Sequence, residues 1–374
     1  MNDNRKRILQ VNIDNNGGNG AFSLVRYLYK HLSNFYVFDY YTMGKFLEDK
    51  VYEDIINDGG ICYSANLRRN KFIGHICLPF NFYKFLKDNI YDTVHIHSEV
   101  AYKHFLYTIA AKKARVKKII IHSHSNDIDG NHKGIKYFFH KILRNKINKY
   151  GTDFLACSMP AAEWMFTPNN IKSDRFHLII NGISPSEYKF DEMKRDYIRK
   201  KLNMDSNIVI GHVGSLKKVK NQIFLLEVFS KLDLKKYKLI LVGDGEDRRS
   251  LEQRARDLGC YNEVSFLGSR NDVDTILQGI DIFAFPSLFE GIPMSLIEAQ
   301  TVGVPVIASN KINPIIKVNT NFKFLQIESN DIEKWVKEIQ MLENTHIKGK
   351  GFENMSKSIF NIEKSAEDLR KVYL

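Results

Sequence analysis

The sequence predicts an α/β protein built from two doubly wound domains. Short apolar, β-branched runs alternate with amphipathic helical stretches, the pattern of parallel sheets crossed by helices. That alternation occurs twice, and 374 residues are enough for about two domains. The first series of strands is expected at 8–13, 93–97, 119–122, 154–158 and 176–180. The second is expected at 208–213, 238–242, 264–267, 282–285 and 304–308, after the polar, charged segment SPSEYKFDEMKRDYIRKKLNMDSN. The domains are accordingly expected at 1–185 and 186–355. The stretch 356–374 has helical apolar spacing at Ile359, Ile362, Leu369, Val372 and Tyr373, and is expected to be a closing helix that returns to the first domain.

Composition narrows the class. With 44% hydrophobic and 26% charged residues the chain has material for two cores. No segment approaches the roughly 20 uninterrupted apolar residues of a membrane span, and MNDNRKRILQVNI lacks the apolar run of a secretory signal. A cytoplasmic location is expected. Cys62, Cys77, Cys157 and Cys260 are widely spaced, which points to reduced thiols and not to a disulfide framework or a zinc site.

The net charge of +12 is uneven. Between residues 112 and 150 eleven Lys and Arg face two acids, Asp127 and Asp129. Within that stretch KGIKYFFHKILRNKINKY interleaves Phe138, Phe139, Ile142, Leu143 and Ile147 with cations at helical spacing. Two readings stand: an interfacial helix drawn to anionic lipid at the inner face of the cell membrane, or an ordinary helix with its apolar stripe in the core. No nucleic-acid motif accompanies the charge.

The most informative stretch is FEGIPMSLIEAQTVGVPVIAS, 289–309, which sets Glu290 and Glu298 eight positions apart across a loop-to-helix junction. Asp281-Ile-Phe-Ala-Phe-Pro286 reads as a buried strand stopped by proline, and Pro293 suits the first turn of a helix, where its missing N–H costs nothing. Glu290 then lies on the loop. Gly291 permits close backbone approach, and the N–H groups of Met294, Ser295 and Leu296 are free to receive a phosphate at the helix start. Glu298 falls in the second turn, where its carboxylate can accept two ribose hydroxyls.

These motifs, with Val213-Gly214-Ser215, Lys220-Asn221, Gly243-Asp244-Gly245 and 264–273, stand in the order found in the family-4 retaining glycosyltransferases. The sequence resembles that family over nearly its whole length, and above all the bacterial capsule and exopolysaccharide members. The resemblance implies the GT-B architecture, two Rossmann-like domains facing an interdomain cleft. It implies transfer of a sugar from a UDP-type donor, without metal or other cofactor, to a saccharide acceptor that is lipid-linked.

Roles follow residue by residue. Lys220 is expected to neutralise the donor diphosphate. The family commonly places an arginine where this chain has Ser215, so Lys217 or Lys218 is expected to compensate beside Gly214 and Ser215. Glu290 is expected to hold the transferred sugar and Glu298 the ribose. Gly243-Asp244-Gly245 reads equally as a plain turn or as a donor contact. Gly17 and Gly18, in DNNGGNGAFSL after the first strand, match the family's loop over the donor phosphates.

His95, His97, His122 and His124 end two strands, but no carboxylate or cysteine stands at ligand spacing, so no metal site is read. The resemblance assigns His124 to orient the donor sugar or the acceptor hydroxyl. Other readings are a nicotinamide dehydrogenase, disfavoured by the absence of a clean G-x-G-x-x-G, a nucleotide-sugar epimerase, and a non-catalytic partner subunit.

Overall fold

The computed structural model describes residues 5–13, 20–44, 49–65, 71–125, 133–204 and 206–374, and everything below refers to them. The chain divides into two compact units. One holds the residues up to Asn181 together with Ile362–Leu374, and the other is Gly182–Asn361.

The first unit carries a parallel sheet of β1 (Lys6–Val11), β2 (Tyr36–Thr42), β3 (Cys62–Ser64), β4 (Thr93–Ser98), β5 (Lys118–Ser123), β6 (Asp153–Ala156) and β7 (Phe176–Leu178) in the order β3-β2-β1-β4-β5-β6-β7. The second carries β8 (Ile208–Val213), β9 (Tyr237–Val242), β10 (Val264–Gly268), β11 (Ile282–Phe285), β12 (Val306–Ser309) and β13 (Phe322–Leu325) in the order β10-β9-β8-β11-β12-β13. Each sheet reverses its winding between its first strand and a later one, β1 beside β4 and β8 beside β11. Crevices that take ligands form outside the carboxyl ends of the strands at such reversals.

Burial explains the strands. Val209 and Ile210 of β8, and Ile282 through Phe285 of β11, have no exposed surface, so apolar residues line both faces, as in a sheet covered by helices on each side. Leu225, Leu226, Val228 and Phe229 from the helix Gln222–Phe229 close one face, where Trp335 packs edge-on to Phe224. At the amino end of β11, Asp281 accepts hydrogen bonds from Arg195 and Arg199 and from the Val209 amide, which ties β8 and β11 together at the end away from the reversal loops.

Three strands were absent from the sequence reading. β2 is buried at all seven positions and therefore shows no alternation, while β3 and β13 are short. Two helices follow one another at this end, Gly349–Lys357 and Ile362–Tyr373, and the latter is the helix that fills the 356–374 stretch. The second packs Ile362, Ala366, Leu369, Val372 and Tyr373 among Ile8, Leu28 and Phe38 in the core of the first unit. All four cysteines are unpaired thiols.

Candidate functional site

At the β8/β11 reversal two loops meet. The loop after β8 runs from Gly214 into a short turn, Lys218–Lys220, and ends at Asn221, whose φ of 55° lies in the left-handed region that asparagine tolerates. The loop after β11 runs from Pro286 to Pro293. They are stitched by the Leu288 amide donating to the Val219 carbonyl at 2.8 Å and by Asn221 Nδ2 donating to the Pro286 carbonyl at 3.3 Å.

That stitching brings Lys220 Nζ to 2.6 Å from Glu290 Oε1. The contact is a close charge pair and not an aligned hydrogen bond, since that oxygen is buried without a hydrogen-bond partner. The ammonium also lies 5.1 Å from the centre of the Phe285 ring. Beneath it His212, fully buried, turns Nδ1 to the Ala284 carbonyl at 3.0 Å. Burial pushes this imidazole down to about 4, and the charge of Lys220 adds to the shift against the opposing Ala284 bond. His212 is therefore a neutral support below the lysine.

The glycines of this region serve backbone packing at two points. A Cβ on Gly243, whose φ is +134°, would lie 2.1 Å from the Gly214 carbonyl oxygen, and one on Gly245 would lie 2.3 Å from that of Leu216. The Gly243-Asp244-Gly245 turn thus presses against the Gly214–Leu216 backbone and fixes the loop that leads to Lys220. Ser215 lends its carbonyl to Gln222 Nε2 at 3.0 Å, while Lys217 and Lys218 are exposed on the same loop. Around Gly291 an added Cβ would meet open space.

The helix Met294–Val302 starts with Pro293 as its cap at φ −75°. Here the sequence expectation needs one correction. The Leu296 N–H is taken by the Pro293 carbonyl at 3.1 Å, which closes the first turn tightly and leaves Met294 and Ser295 as the N–H groups open to an anion. Glu298, the fifth residue of that helix, accepts a hydrogen bond from Tyr188 Oη at 3.1 Å. Burial pushes its carboxyl up to about 7, with Tyr188 pulling the other way and Asp274 adding repulsion. Among the described residues no cation is paired with Glu298.

In the first unit, Gly17 and Gly18 lie outside the described residues. His124 follows β5 and joins His95, His97 and His122 in a stack of rings, with His97 opposite His122 in the strand register. His97 Nδ1 meets His124 Nε2 at 2.7 Å, and His95 Nε2 meets His122 Nδ1 at 3.1 Å. His97 Nε2 turns to Gln10 Oε1 at 2.8 Å and His95 Nδ1 to Tyr373 Oη at 2.7 Å. His95, His97 and His122 each bring a ring nitrogen within 4.8 Å of the others, a spacing that could hold a metal ion, while both nitrogens of His95 and of His97 are engaged in hydrogen bonds within the cluster. Burial holds His95, His97 and His122 well below the ordinary histidine range and His124 at about 3, so the whole cluster is neutral.

Sequence reasoning missed Tyr188, His212, Gln10 and Tyr373. Tyr188 reaches Glu298 across 110 positions, and no local pattern announces such a pair. Gln10 and His212 carried a signal, each a polar residue among the apolar positions of its strand.

Two family models match the chain. The model described as "Glycosyl transferases group 1" matches residues 193–358 and "Glycosyltransferase Family 4" matches 18–187. Among curated relatives, EpsF of Bacillus subtilis is 28% identical over 354 residues, 91% of this chain and 88% of its own. The Escherichia coli UDP-Gal:alpha-D-GlcNAc-diphosphoundecaprenol alpha-1,3-galactosyltransferase is 27% identical over 78% of this chain and 77% of its own. The capsular polysaccharide biosynthesis glycosyltransferase CapH of Staphylococcus aureus is 27% identical over 79% and 80%. Among solved structures, Anabaena Alr3699/HepE in complex with UDP aligns with a TM-score of 0.75 at 18% identity, over 98% of this chain and 99% of that one. With both family models matched in succession and the two parallel sheets in place, the chain belongs to the family-4 glycosyltransferases of GT-B fold.

Proposed function

We propose that this glycosyltransferase moves a sugar from a UDP-linked donor to a hydroxyl of a lipid-linked saccharide in the synthesis of a bacterial surface glycan, with retention of anomeric configuration and without a metal. The observation that carries the reading is the pairing of Lys220 with Glu290 at the β8/β11 reversal, followed one turn into the next helix by Glu298, whose carboxyl is raised by burial and which pairs with no cation among the described residues. Lys220 offers a cation to the diphosphate, whose charge grows as the sugar departs. The Met294 and Ser295 N–H groups add the positive end of a helix, and Lys217 and Lys218 stand where they can supply the charge that Ser215 does not. Glu290, released as Lys220 turns to phosphate, receives sugar hydroxyls, and Glu298 receives the ribose.

No side chain is assigned as an enzymic base. The departing phosphate oxygen takes the acceptor proton on the face from which it leaves, which gives retention, while His124 orients the donor sugar or the acceptor hydroxyl and Gly17 and Gly18 lend backbone to the phosphates. Names of relatives support the substrate classes: one acts on a diphosphoundecaprenol-linked sugar with UDP-Gal, and Alr3699/HepE was solved with UDP-glucose. None of the described helices is long and apolar enough to cross a membrane. Access to such an acceptor at the inner face of the membrane is assigned to the helix Lys133–Tyr150, on which Tyr137, Phe138, Phe139 and Ile142 are exposed beside Lys141, Lys146 and Lys149.

The test is transfer itself. The protein is incubated with chelator, a panel of UDP-sugars and a polyprenyl-diphosphate saccharide, and the product linkage is read by NMR. Transfer in chelator with the donor's anomeric configuration kept supports the reading. An inverted linkage, dependence on metal, or conversion of the UDP-sugar without acceptor would replace it, the last with an epimerase.

A further inference from the structure

Behind His124 the buried histidines form a continuous hydrogen-bonded path. Gln10 Nε2 lies 3.1 Å from Tyr373 Oη, Tyr373 Oη reaches His95, and His95 reaches His122. From the other end of the same amide, Gln10 Oε1 reaches His97, and His97 reaches His124. The two rails end at buried nitrogens with no partner among the described residues, His122 Nε2 and His124 Nδ1.

A neutral imidazole has one N–H and one bare nitrogen, so each ring passes on the polarity that it receives. With the Gln10 amide nitrogen toward Tyr373, the hydroxyl donates to His95 Nδ1, His95 Nε2–H donates to His122 Nδ1, and His122 is left with Nε2–H. On the other rail His97 Nε2–H donates to Gln10 Oε1, His124 Nε2–H donates to His97 Nδ1, and His124 Nδ1 is bare. Turning the amide over reverses every bond: His122 then carries Nδ1–H with a bare Nε2, and His124 carries Nδ1–H. A mixture places two protons or two lone pairs face to face, or turns the Tyr373 hydroxyl proton away from both partners, in a buried cluster where an unmade bond is costly.

We propose that Gln10, Tyr373 and the four histidines form one circuit with two concerted states, in which Gln10 and Tyr373 are positioning residues that set whether His124 meets its ligand as acceptor or as donor. A saccharide hydroxyl that donates to His124 selects the first state, and a ligand oxygen that accepts from it selects the second. The role of His124 toward substrate rests on the function proposed above, but the circuit does not.

The experiment uses the full chain labelled with 15N-histidine, with tautomers read from long-range proton–nitrogen correlations. In the wild type the fraction of Nε2–H tautomer is expected to be equal at His122 and His124 at every temperature. In Gln10→Glu, at a pH where that carboxylate is ionised, an acceptor faces both rails. His122 should switch to Nδ1–H while His124 remains Nε2–H, so the two labels become opposite. Unequal fractions in the wild type, or matching labels in ionised Gln10→Glu, overturn the circuit. If the buried carboxylate prevents folding, the wild-type comparison decides alone. Neither measurement needs a donor, so failure to bind UDP would defeat the functional reading without touching this one.

Discussion

Lys220 and Glu290 neutralise each other at 2.6 Å on two loops held together by the Leu288–Val219 and Asn221–Pro286 hydrogen bonds. In the proposed function a diphosphate competes for that lysine and frees the glutamate. Replacing Lys220 by Met removes the cation proposed to face the leaving group and should lower kcat by on the order of 10²–10³-fold, the range for losing one preorganised electrostatic contact. Glu290→Gln leaves Lys220 free for phosphate, so UDP binding should hold or tighten while turnover falls. Steady-state kinetics and UDP titration of both variants check this pair of opposite effects.

Glu298 has its carboxyl raised to about 7 by burial, above the usual value near 4.5. Between those values the folded protein holds a proton that the unfolded chain has released, so this residue makes stability fall as pH rises from about 4.5 to 7. Glu298→Gln should flatten that part of the melting-temperature profile. The ribose hydroxyls proposed to meet Glu298 would favour its ionised form, so UDP affinity of the wild type should strengthen as pH rises through 7, and the variant should not follow.

Lys217 and Lys218 are exposed on the loop where Ser215 supplies no cation. The double variant Lys217→Ala/Lys218→Ala should weaken UDP binding about tenfold, the equivalent of about 1.4 kcal/mol, with a reduced salt dependence. Adding Ser215→Arg should restore much of the loss. Calorimetric titration at two salt concentrations measures both effects.

Gly243 has φ +134°, and a Cβ there would lie 2.1 Å from the Gly214 oxygen. Gly243→Ala should cost roughly 1–3 kcal/mol, the scale of local backbone strain, and should shift the loop that carries Lys220. Urea unfolding gives the first figure and loss of UDP affinity reports the second.

Much of the second unit was legible because its motifs are local. A buried strand, a proline and a helix start follow one another in the sequence, and β8 and β11 lie where the apolar runs stand. β2 was illegible for a physical reason: YVFDYYT is buried on both faces, so it lacks the alternation of a half-exposed strand. In the site, the placing of Glu290 on the loop and Glu298 in the helix could be read from order and spacing, whereas Leu296 could not be judged until the tight first turn was seen to consume its N–H. Tyr373 looked like one more apolar residue of a closing helix. Its hydroxyl meets Gln10 across 363 positions, a contact that only the assembled core creates.

Phe138 and Ile142 lie four residues apart on the helix Lys133–Tyr150, both exposed, with Lys141, Lys146 and Lys149 around them. The protein should sediment with vesicles containing phosphatidylglycerol, less so at high salt, and little with neutral vesicles. Phe138→Ser/Ile142→Ser should reduce binding without changing UDP affinity, since neither residue belongs to the β8/β11 loops.

The most direct measurement is thermal stabilisation of the wild type and of Glu298→Ala by UDP and by GDP, in chelator, because a ligand that binds the native state raises its stability with occupancy. The account predicts an upward shift with UDP, a smaller one with GDP, and loss of the UDP shift in the variant. No shift with either nucleotide, or a UDP shift that Glu298→Ala leaves intact, would contradict it.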